Sequence, residues 1–325
     1  MFISQEKIPN AEQALIEALA ADVIAKQEKE HKPGTVARRD VHSKSNGLFK
    51  ATFRVLDGLP EALRVGLFAT PATYDAVIRF SNGALGTAAD AFPNIRGCAI
   101  KLHGVPGDKA LPCDQGCDQH DILLANSRTF FTQTMEQMGM LIRGQMKELF
   151  KAHPNVIRMM AAAMLKVVKN PLQTSYFSQV PYGLGDGAAK FVLMPERGSC
   201  FFSVPNIFDK DFLRHRAERL LRRKEQVFSF YVQLQRDATS DPIEDSSVAW
   251  GGPFVKVATV TVLKVTSTTT ESDGEELSFH PWRALTAHRP LGWPGRLRRA
   301  IYSADFAWRT AQNAANASSK VIQQR

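Results

Sequence analysis

The amino-acid sequence predicts an α+β fold, in which an antiparallel β-barrel of about eight strands carries inserted and C-terminal helices. Two groups of segments alternate apolar with polar residues as strands do, and a long stretch of helical character separates them. Helical patterns also begin and end the 325-residue chain, which is long enough to bury a full core. Barrels of this size can enclose a ligand, so the predicted fold already offers a place for one.

The chain begins with a helical pattern that is followed by an arm without a regular period. A helix is predicted from about Ala11 to Lys29, with Asn10 as its cap and apolar side chains along one stripe. The arm at residues 31–47 reads HKPGTVARRDVHSKSNG and contains both proline and glycine. Extended arms of this kind pack across another surface or carry a functional site.

The first group of strands lies between Leu48 and Phe131. Turn-forming residues such as SNG, PNIRG and PGDK separate its members. The four predicted strands are LFKATFRV (48–55), DAVIRFS (75–81), GCAIKLHG (97–104) and HDILLA (120–125).

From Thr132 to Lys169 the pattern becomes helical and rich in methionine, with an interruption at residues 153–155. Methionine stripes commonly fill an adaptable core. They can also offer a flexible apolar surface to an acyl chain, with neighbouring lysines meeting a carboxylate or an anionic bilayer. The sequence leaves both interpretations open.

A second group of strands follows, with a basic helix predicted over residues 209–224 in its middle. A final helix is predicted from about Pro294 to Ala315, because proline is favoured in the first turn of a helix. The predicted strands of this group are AAKFVLMP (188–195), SCFFSV (199–204), VFSFYVQLQ (227–235) and PFVKVATVTVL (253–263).

Basic residues exceed acidic ones, with 41 lysines and arginines against 32 aspartates and glutamates. Much of the excess lies at residues 214–224 and 283–309. No RNA-binding aromatic motif or helix-turn-helix pattern accompanies it, so nucleic acid is not expected as a partner. Small anionic ligands suit this charge pattern better.

The four cysteines are too few for a disulfide framework. Cys113 and Cys117 could form a metal pair, although reduced thiols on a loop are the favoured interpretation. The eight histidines lack the spacing of a zinc or facial-triad site. The N-terminus lacks secretory features, and no apolar run reaches ~18 residues, so a cytoplasmic protein is expected.

The final helix places three side chains on one face. Arg298 precedes Tyr302 by four residues and Arg309 follows it by seven, offsets that leave them only about 40° and 20° from the tyrosine around the helix axis. A guanidinium one turn away stabilises the anionic form of a phenol, which is a suitable ligand for ferric iron. On its own, the pattern also fits a basic amphipathic helix with a half-buried tyrosine.

The arm and two predicted strands add a histidine and two buried charges. His42 ends the run RRDVH, and a histidine can accept the first proton of a peroxide and return it to the departing oxygen. Arg79 and Arg96 lie in or beside hydrophobic strands, where a buried guanidinium needs an anionic partner. Taken singly, these residues also fit a surface loop and strand ends.

Six motifs, in the same order, resemble those of the catalase superfamily over most of the chain. No single motif is specific, but their shared order is. They are Arg39-x-x-His42-x-Lys44, Arg79-Phe80-Ser81, Arg96-Gly97-x-Ala99-x-Lys101, the segment from Asp121 through Asn126 to Phe130-Phe131, the stretch YFSQVPY from Tyr176 to Tyr182, and Arg298-x-x-x-Tyr302-x6-Arg309. The segment SFHPWRALTAHRPLG looks like the shorter bacterial catalase-related proteins.

The resemblance implies a catalase-like barrel that binds haem b, iron protoporphyrin IX. Tyr302 would then be the axial iron ligand and Arg298 its charge partner, as tyrosine is in catalases. His42 would be the distal acid–base group, and Val41 would lie against the porphyrin. In the remaining implied roles Ser81 orients the imidazole, Asn126 donates to the peroxide, Phe130 lines the distal pocket, and Arg39, Arg79 and Arg309 hold the propionates.

The chain departs from the large catalases at several of these positions. Asn126 is one residue nearer to the Phe-Phe pair than the usual asparagine, whose matching position here is Ala125. The Tyr-x-Asp-Thr sequence that follows the ligand in those enzymes is absent after Tyr302. Arg283 stands where the short relatives have a histidine.

The short relatives imply a peroxide-processing oxidoreductase rather than fast dismutation of hydrogen peroxide. Two kinds of reaction remain open, namely a peroxidase of small organic peroxides and an isomerase or lyase of fatty acid hydroperoxides of the allene oxide synthase type. An alternative from another class is a haem-binding protein without rapid turnover. The expected partner is therefore a peroxide or a lipid hydroperoxide.

The whole chain is expected to form one haem domain. Weak contact with a membrane surface is expected through residues 132–170, and a homo-oligomer is left open. The domain's predicted parts are the helix and distal arm (1–46), the first strands (47–131), a helical insertion (132–185), the remaining strands with a helix (186–265), and the ligand helix with its tail (266–325).

Overall fold

Nine strands form one antiparallel sheet in the computed structural model, which describes residues 6–83, 88–196, 206–265 and 277–323. The strands are β1 (Ser45–Val55), β2 (Thr73–Asn82), β3 (Arg96–Leu102), β4 (His120–Ala125), β5 (Tyr176–Phe177), β6 (Tyr182–Leu184), β7 (Gly187–Pro195), β8 (Gln226–Leu234) and β9 (Phe254–Val262).

Eight of these strands close into a barrel. Strands β1 to β4 are consecutive neighbours, β1 also pairs with β9, and β9, β8 and β7 follow in order. The short β5 closes the ring, because Phe177 lies opposite Ala125 on one side and Val192 on the other. Strand β6 pairs further along the same edge of β7.

The barrel interior is filled by large apolar side chains. Along β1, Phe49 and Phe53 are buried while Lys50 and Arg54 between and beyond them are exposed, as the two-residue period of a strand requires. Burial of one such ring stabilises the fold by roughly 1.5–3 kcal/mol. The other aromatic side chains of the core are Phe68, Phe80, Tyr176, Tyr182, Phe191, Phe228 and Phe230.

Within the described ranges, six helices lie outside the barrel. Helices α1 and α6 pack against each other, and Ile16 and Leu19 of α1 form an apolar cluster with Trp293 and Leu297 of α6. The helices are α1 (Glu12–Glu30), α2 (Met135–Ile142), α3 (Met146–Ala152), α4 (Pro154–Met164), α5 (Phe212–Arg223) and α6 (Gly292–Gln323).

The predicted fold class is confirmed, and most predicted strands differ from the observed ones by one to three residues at an end. The predicted cap was wrong: Ala11 precedes the first helix, and no side chain caps it. The predicted long helical stretch is three helices, because the chain also turns at Gly144, whose φ of +73° is left-handed.

Two short strands, β5 and β6, were not predicted, because two or three residues carry no detectable period. The predicted strand at 199–204 lies outside the described residues. Helix α6 starts earlier than predicted, at Gly292, and runs further.

No helix among the described residues combines the length and apolar character needed to cross a bilayer. The same residues contain no group of three or more histidine, cysteine or acidic side chains placed to hold a metal ion. Cys113 and Cys117 are both free thiols.

Candidate functional site

A cavity of about 940 Å³, measured with its open mouth, lies between helix α6 and the outer faces of β2, β3 and β4. The arm at 39–42, the turn at 178–179 and the segment 278–283 complete its walls. Arg79 and Ser81 point out of the barrel but are nevertheless buried at this place.

His42 forms one wall of the cavity. Its backbone has a φ of +59°, in the left-handed region that residues other than glycine seldom adopt, so the surrounding structure must hold it there. One such contact is donated by Arg79, whose Nη2 lies 2.9 Å from the carbonyl oxygen of His42. Ser81 Oγ lies 3.0 Å from His42 Nδ1, which leaves Nε2 as the ring nitrogen for a ligand.

The His42 imidazole is held in its neutral form. Burial, followed by the positive charges of Arg79, Arg298 and Arg39, lowers the pKa of His42 to about 3. A neutral imidazole can accept a proton, which an imidazolium cannot. At neutral pH the side chain is therefore ready to act as a base.

Gly97 on β3 makes room for this imidazole. A Cβ at this position would lie 2.5 Å from Cε1 of His42 and 2.7 Å from Ser81 Oγ, closer than real Cβ atoms come to other heavy atoms. Glycine inside a strand commonly marks such a close approach. The identity of residue 97 therefore fixes how closely His42 lies against the sheet.

Tyr302 and Arg298 of α6 also line the cavity. The Nη2 atom of Arg298 lies 3.5 Å from the Tyr302 hydroxyl oxygen, and the guanidinium carbon lies 5.4 Å from the ring centroid. Burial lowers the pKa of Arg298, but the phenols of Tyr302 and Tyr182 more than offset this effect and raise it overall. The guanidinium therefore stays charged beside the phenol.

A second histidine supports the tyrosine from the side. The His280 ring meets the Tyr302 ring edge-on, with centroids 5.9 Å apart. The backbone N–H of Trp282 donates to His280 Nδ1, so the proton lies on Nε2, which donates to Ser303 Oγ 3.1 Å away. Burial, followed by the charge of Arg283, lowers the pKa of His280 to about 3.

Asp121 on β4 fixes the segment that carries His280. Its carboxylate accepts the backbone N–H of His280 at 2.9 Å and pairs with Lys101 at 2.7 Å and Arg283 at 3.4 Å. Burial raises the pKa of Asp121, while Lys101 and Arg283 act in the opposite direction. The segment is thus tied to the barrel by a buried ion-pair network.

The cavity is rich in positive charge. Two aspartates, Asp40 and Asp305, offset only part of it, and Asp305 already accepts from Arg309 Nε at 2.9 Å. Such a site favours an anionic ligand, and the fork of a guanidinium matches a carboxylate. The lining arginines are Arg39, Arg79, Arg283, Arg298 and Arg309.

The structure thus brings eight of the ten predicted site residues around one cavity. They are Arg39, Val41, His42, Arg79, Ser81, Arg298, Tyr302 and Arg309.

Asn126 and Phe130 do not line it. The Asn126 side-chain oxygen accepts the Arg96 backbone N–H at 2.8 Å, and Ala125 takes the wall position instead. The predicted contact of Asn126 with a peroxide is therefore not supported by its placement.

Phe130 lies in an apolar cluster outside the cavity. It stacks on Phe131 with centroids 5.1 Å apart and meets Trp293 edge-on at 6.1 Å. It packs with residues of α1, α2 and α6 rather than with His42. Its predicted place in the distal pocket is therefore not supported either.

Several residues of the site were not predicted to belong to it. Gly97 could have been found, because a glycine between hydrophobic strand residues indicates a close approach. Gln179 carries a weaker signal: it lines the cavity with a left-handed φ of +61°, and its Nε2 donates to Thr129 O. His280 and Asp305 depend on contacts between distant segments, which no local pattern encodes.

Comparisons with known proteins agree on the fold. Neither a family model nor a curated protein sequence matches the chain. A solved bacterial catalase aligns with a TM-score of 0.67 at 14% identity, over 94% of this chain and 61% of that one. A fungal catalase gives 0.65 at 13% identity, over 87% and 60%, and catalase A from Saccharomyces cerevisiae gives 0.66 at 16% identity, over 88% and 63%.

The chain spans less than two thirds of the length of these three catalases. Its identity to each is low, while the architecture coincides over nearly all of its own length. The chain therefore has a catalase-like fold.

Proposed function

We propose that this protein binds haem b in the cavity and processes a peroxide. The observation that carries the proposal is that one neutral histidine and one arginine-paired tyrosine line the same cavity. Haem is planar and apolar with two carboxylates, and a cavity with apolar lining and several arginines suits such a group. The phenol of Tyr302 suits ferric iron, which catalases bind through tyrosine.

The residues that would hold the cofactor follow from their positions. Tyr302 would supply a phenolate oxygen to the iron, and Arg298 would stabilise the negative charge of that oxygen from 3.5 Å away. Arg39, Arg79 and Arg309 would meet the propionates. When bound, the haem would supply an iron centre at which the O–O bond of a peroxide is weakened.

His42 would move the proton that O–O cleavage requires. Its neutral imidazole would accept a proton from the peroxide and return that proton to the departing oxygen. Ser81 would hold the ring through Nδ1, so that Nε2 does this work. Gly97 would keep the imidazole close to the sheet and leave the rest of the cavity open.

The lining of the cavity supports an organic hydroperoxide as substrate. Val41, Leu123 and Ala125 are apolar, and Gln179 is the one carboxamide among the described lining residues. Apolar side chains of this kind favour an alkyl or acyl chain. The same observation keeps a fatty acid hydroperoxide isomerase or lyase as the second candidate.

The test begins with hemin titration of the purified protein. We expect stoichiometric binding and the absorption spectrum of a ferric tyrosinate complex. The Tyr302→Phe variant should lose or loosen the haem, while Tyr231→Phe, a matched change on β8, should not. If the purified protein does not bind hemin, the proposal of haem binding is wrong. If the spectrum of Tyr302→Phe is unchanged, Tyr302 is not the iron ligand.

Product analysis then separates the reactions. Hydrogen peroxide or an organic hydroperoxide with a reducing donor should yield oxidised donor if the protein is a peroxidase. A polyunsaturated fatty acid hydroperoxide without a donor should yield an allene oxide or cleavage products if it is an isomerase or lyase. Haem binding without either product would identify a haem-binding protein that does not turn over these peroxides.

A further inference from the structure

A group of apolar side chains stands exposed on one side of the molecule. Their exposed fractions range from 62% for Phe92 to 92% for Phe208, whereas large apolar side chains of this kind are normally buried. The group consists of Phe92, Leu165, Val167, Ile207 and Phe208.

The segments that carry these side chains meet around a small buried cluster of Val168, Phe212 and Leu213, against which the half-buried Ala91 packs. Hydrogen bonds join the same segments. The backbone N–H of Asp90 donates to Lys210 O, and the Asp90 carboxylate accepts the backbone N–H of Leu213 in the first turn of α5. The three segments 88–92, 165–170 and 206–216 therefore hold their apolar side chains in a fixed arrangement.

The 165–170 segment is fastened to α5 in the same way. Arg216 Nη1 donates to Lys169 O at 3.0 Å, and Asn170 Nδ2 lies 3.4 Å from Arg216 O. Leu165 and Val167 point outward on either side of Lys166, while Val168 points inward.

Positive charge surrounds the exposed apolar group. Seven lysines and arginines but only four acidic residues lie between 206 and 225. The acidic ones nearest the group are engaged: Asp209 pairs with His215, and Asp211 pairs with Lys44 and Arg214. The exposed cations on the segments that carry the group are Lys166, Lys169, Lys210 and Arg219.

We propose that this surface docks the protein onto an anionic lipid bilayer. We call it the docking surface and define it by Phe92, Leu165, Val167, Ile207 and Phe208 with their surrounding cations. Aromatic and aliphatic side chains enter the headgroup boundary, while lysine and arginine attract anionic lipids. The charge of the surface is complementary to such a membrane.

A bilayer fits this surface better than a second protein does. The apolar side chains stand on three separate projecting segments, and Phe208 is almost fully exposed rather than lining a groove. Interface cores in protein complexes are instead depleted in charged residues. The docking surface has no need of a bound cofactor, so the proposal is independent of the function proposed above.

The surface lies beside the His42 wall of the cavity. Lys166, between two of its apolar residues, donates to Asn126 O at 3.2 Å, and Asn126 follows the lining residue Ala125. A protein docked here would hold this wall close to the lipids.

The experiment is co-sedimentation of the purified full chain, without added hemin, with lipid vesicles. Vesicles of phosphatidylcholine mixed with phosphatidylserine should bind the protein, and vesicles of phosphatidylcholine alone should bind it far less. Added salt should weaken the binding, because screening shortens the reach of the charges. The proposal would be overturned if the protein bound both vesicle types equally well or bound neither of them.

Two sets of variants test the surface itself. Ile207→Ser with Phe208→Ser should reduce the affinity at least about tenfold, since each buried apolar side chain contributes strongly. Ile8→Ser with Val36→Ser, two exposed apolar residues elsewhere, is the matched control and should leave it unchanged.

Charge is tested in the same way. Lys210→Gln with Arg219→Gln should weaken binding by about fivefold for each charge removed. Arg64→Gln with Lys29→Gln, exposed cations outside the surface, should have little effect. If Ile207→Ser with Phe208→Ser instead abolishes a dimer in light scattering and leaves vesicle binding intact, the surface is a protein interface and the proposal is wrong.

Discussion

At the scale of single residues, His42 shows how several weak constraints fix one functional group. Arg79 holds its carbonyl oxygen, Ser81 holds Nδ1, and Gly97 gives the ring its space. The left-handed backbone of residue 42 is tolerated because these contacts oppose its relaxation. Orientation of this kind is what a proton-transferring side chain needs.

The His42→Ala variant should retain haem but react with peroxide more slowly by roughly 10² to 10⁴-fold, since a positioned acid–base group contributes about that much. Stopped-flow measurements with a peracid or an organic hydroperoxide would show the change. His103→Ala, which lies outside the cavity lining, is the control. Equal rates in His42→Ala and wild type would remove the acid–base role.

The same histidine determines the pH dependence. Because the pKa of His42 is lowered to about 3, the imidazole is neutral throughout the physiological range, and its proton-accepting form is lost only as the pH falls toward 3. The rate constant should therefore be flat from about pH 5 upward. A rate that falls between pH 7 and 6 would show that the imidazole titrates near its ordinary value.

Gly97→Ala should displace the imidazole without touching any proposed ligand. The new methyl group would overlap both the imidazole ring and Ser81 Oγ. We therefore expect the reaction with peroxide to slow on the order of 10²-fold, which is the usual effect of displacing a catalytic group by about 1 Å. Hemin titration and thermal unfolding of the same variant separate this effect from lost binding or folding. Full activity would mean that the imidazole has another stable position.

The sequence predicted part of this site for physical reasons. The shared helix face of Arg298, Tyr302 and Arg309 follows from the helical period alone, and all three line the cavity. Asn126 shows the opposite case, because a shift of one residue along β4 turns a side chain to the other face. His280 could not be foreseen, since its position depends on Asp121 from another part of the chain.

At the scale of elements, α6 is anchored where it begins. Arg296 pairs with Glu6, Glu12 and Glu244, which come from the N-terminal segment, from α1 and from the loop after β8. All four side chains are largely buried. The anchor sets the start of the helix that carries Arg298 and Tyr302 one to two turns later.

Removing this anchor should be costly. Arg296→Leu removes the cation that Glu12 and Glu244 share and leaves Glu6 paired with Arg289, so we expect a loss of about 3–5 kcal/mol in the free energy of unfolding. Arg143→Leu, which breaks only an exposed 2.7 Å pair with Asp22, should cost no more than about 1 kcal/mol. Urea unfolding measures both, and similar losses in the two variants would contradict the anchoring role.

The elements themselves differ in how well their sequence predicts them. Strands of seven to eleven residues such as β1 and β3 alternate clearly and were predicted within a few residues. The two residues of β5 owe their pairing to neighbours on both sides rather than to their own composition. The chain supplies no local signal for them.

At the scale of the whole molecule, several histidines are buried in their neutral form. Burial, with added effects of nearby charges, lowers the pKa of His42 and His280 to about 3, that of His288 to about 4, and that of His120 well below its ordinary value. Their partners require neutrality: His288 Nε2, for example, accepts the backbone N–H of Leu67 at 2.9 Å. These rings take up a proton only when the fold opens.

Stability should therefore fall as the pH is lowered below about 6.5. Below that pH the histidines of the unfolded chain bind protons, whereas the buried histidines of the folded chain do not. The free energy of unfolding should therefore fall on the order of 1 kcal/mol per pH unit for each such histidine. Urea unfolding from pH 7.5 to pH 5 measures the slope. In the His288→Asn variant this slope should be smaller by the contribution of about one proton taken up on unfolding. A stability that stays constant or rises as the pH is lowered would show that these histidines are not buried in their neutral form.

The closure of the barrel by a two-residue strand has its own consequence. Separating β5 from β4 breaks far fewer hydrogen bonds than separating two of the long strands, so the barrel has a weak seam at this pairing. That seam borders the site, since Ala125 lies on one side of it and Ser178 and Gln179 follow directly on the other. If the barrel wall parts, it should part first at this place beside the cavity, while the longer strand pairs stay intact.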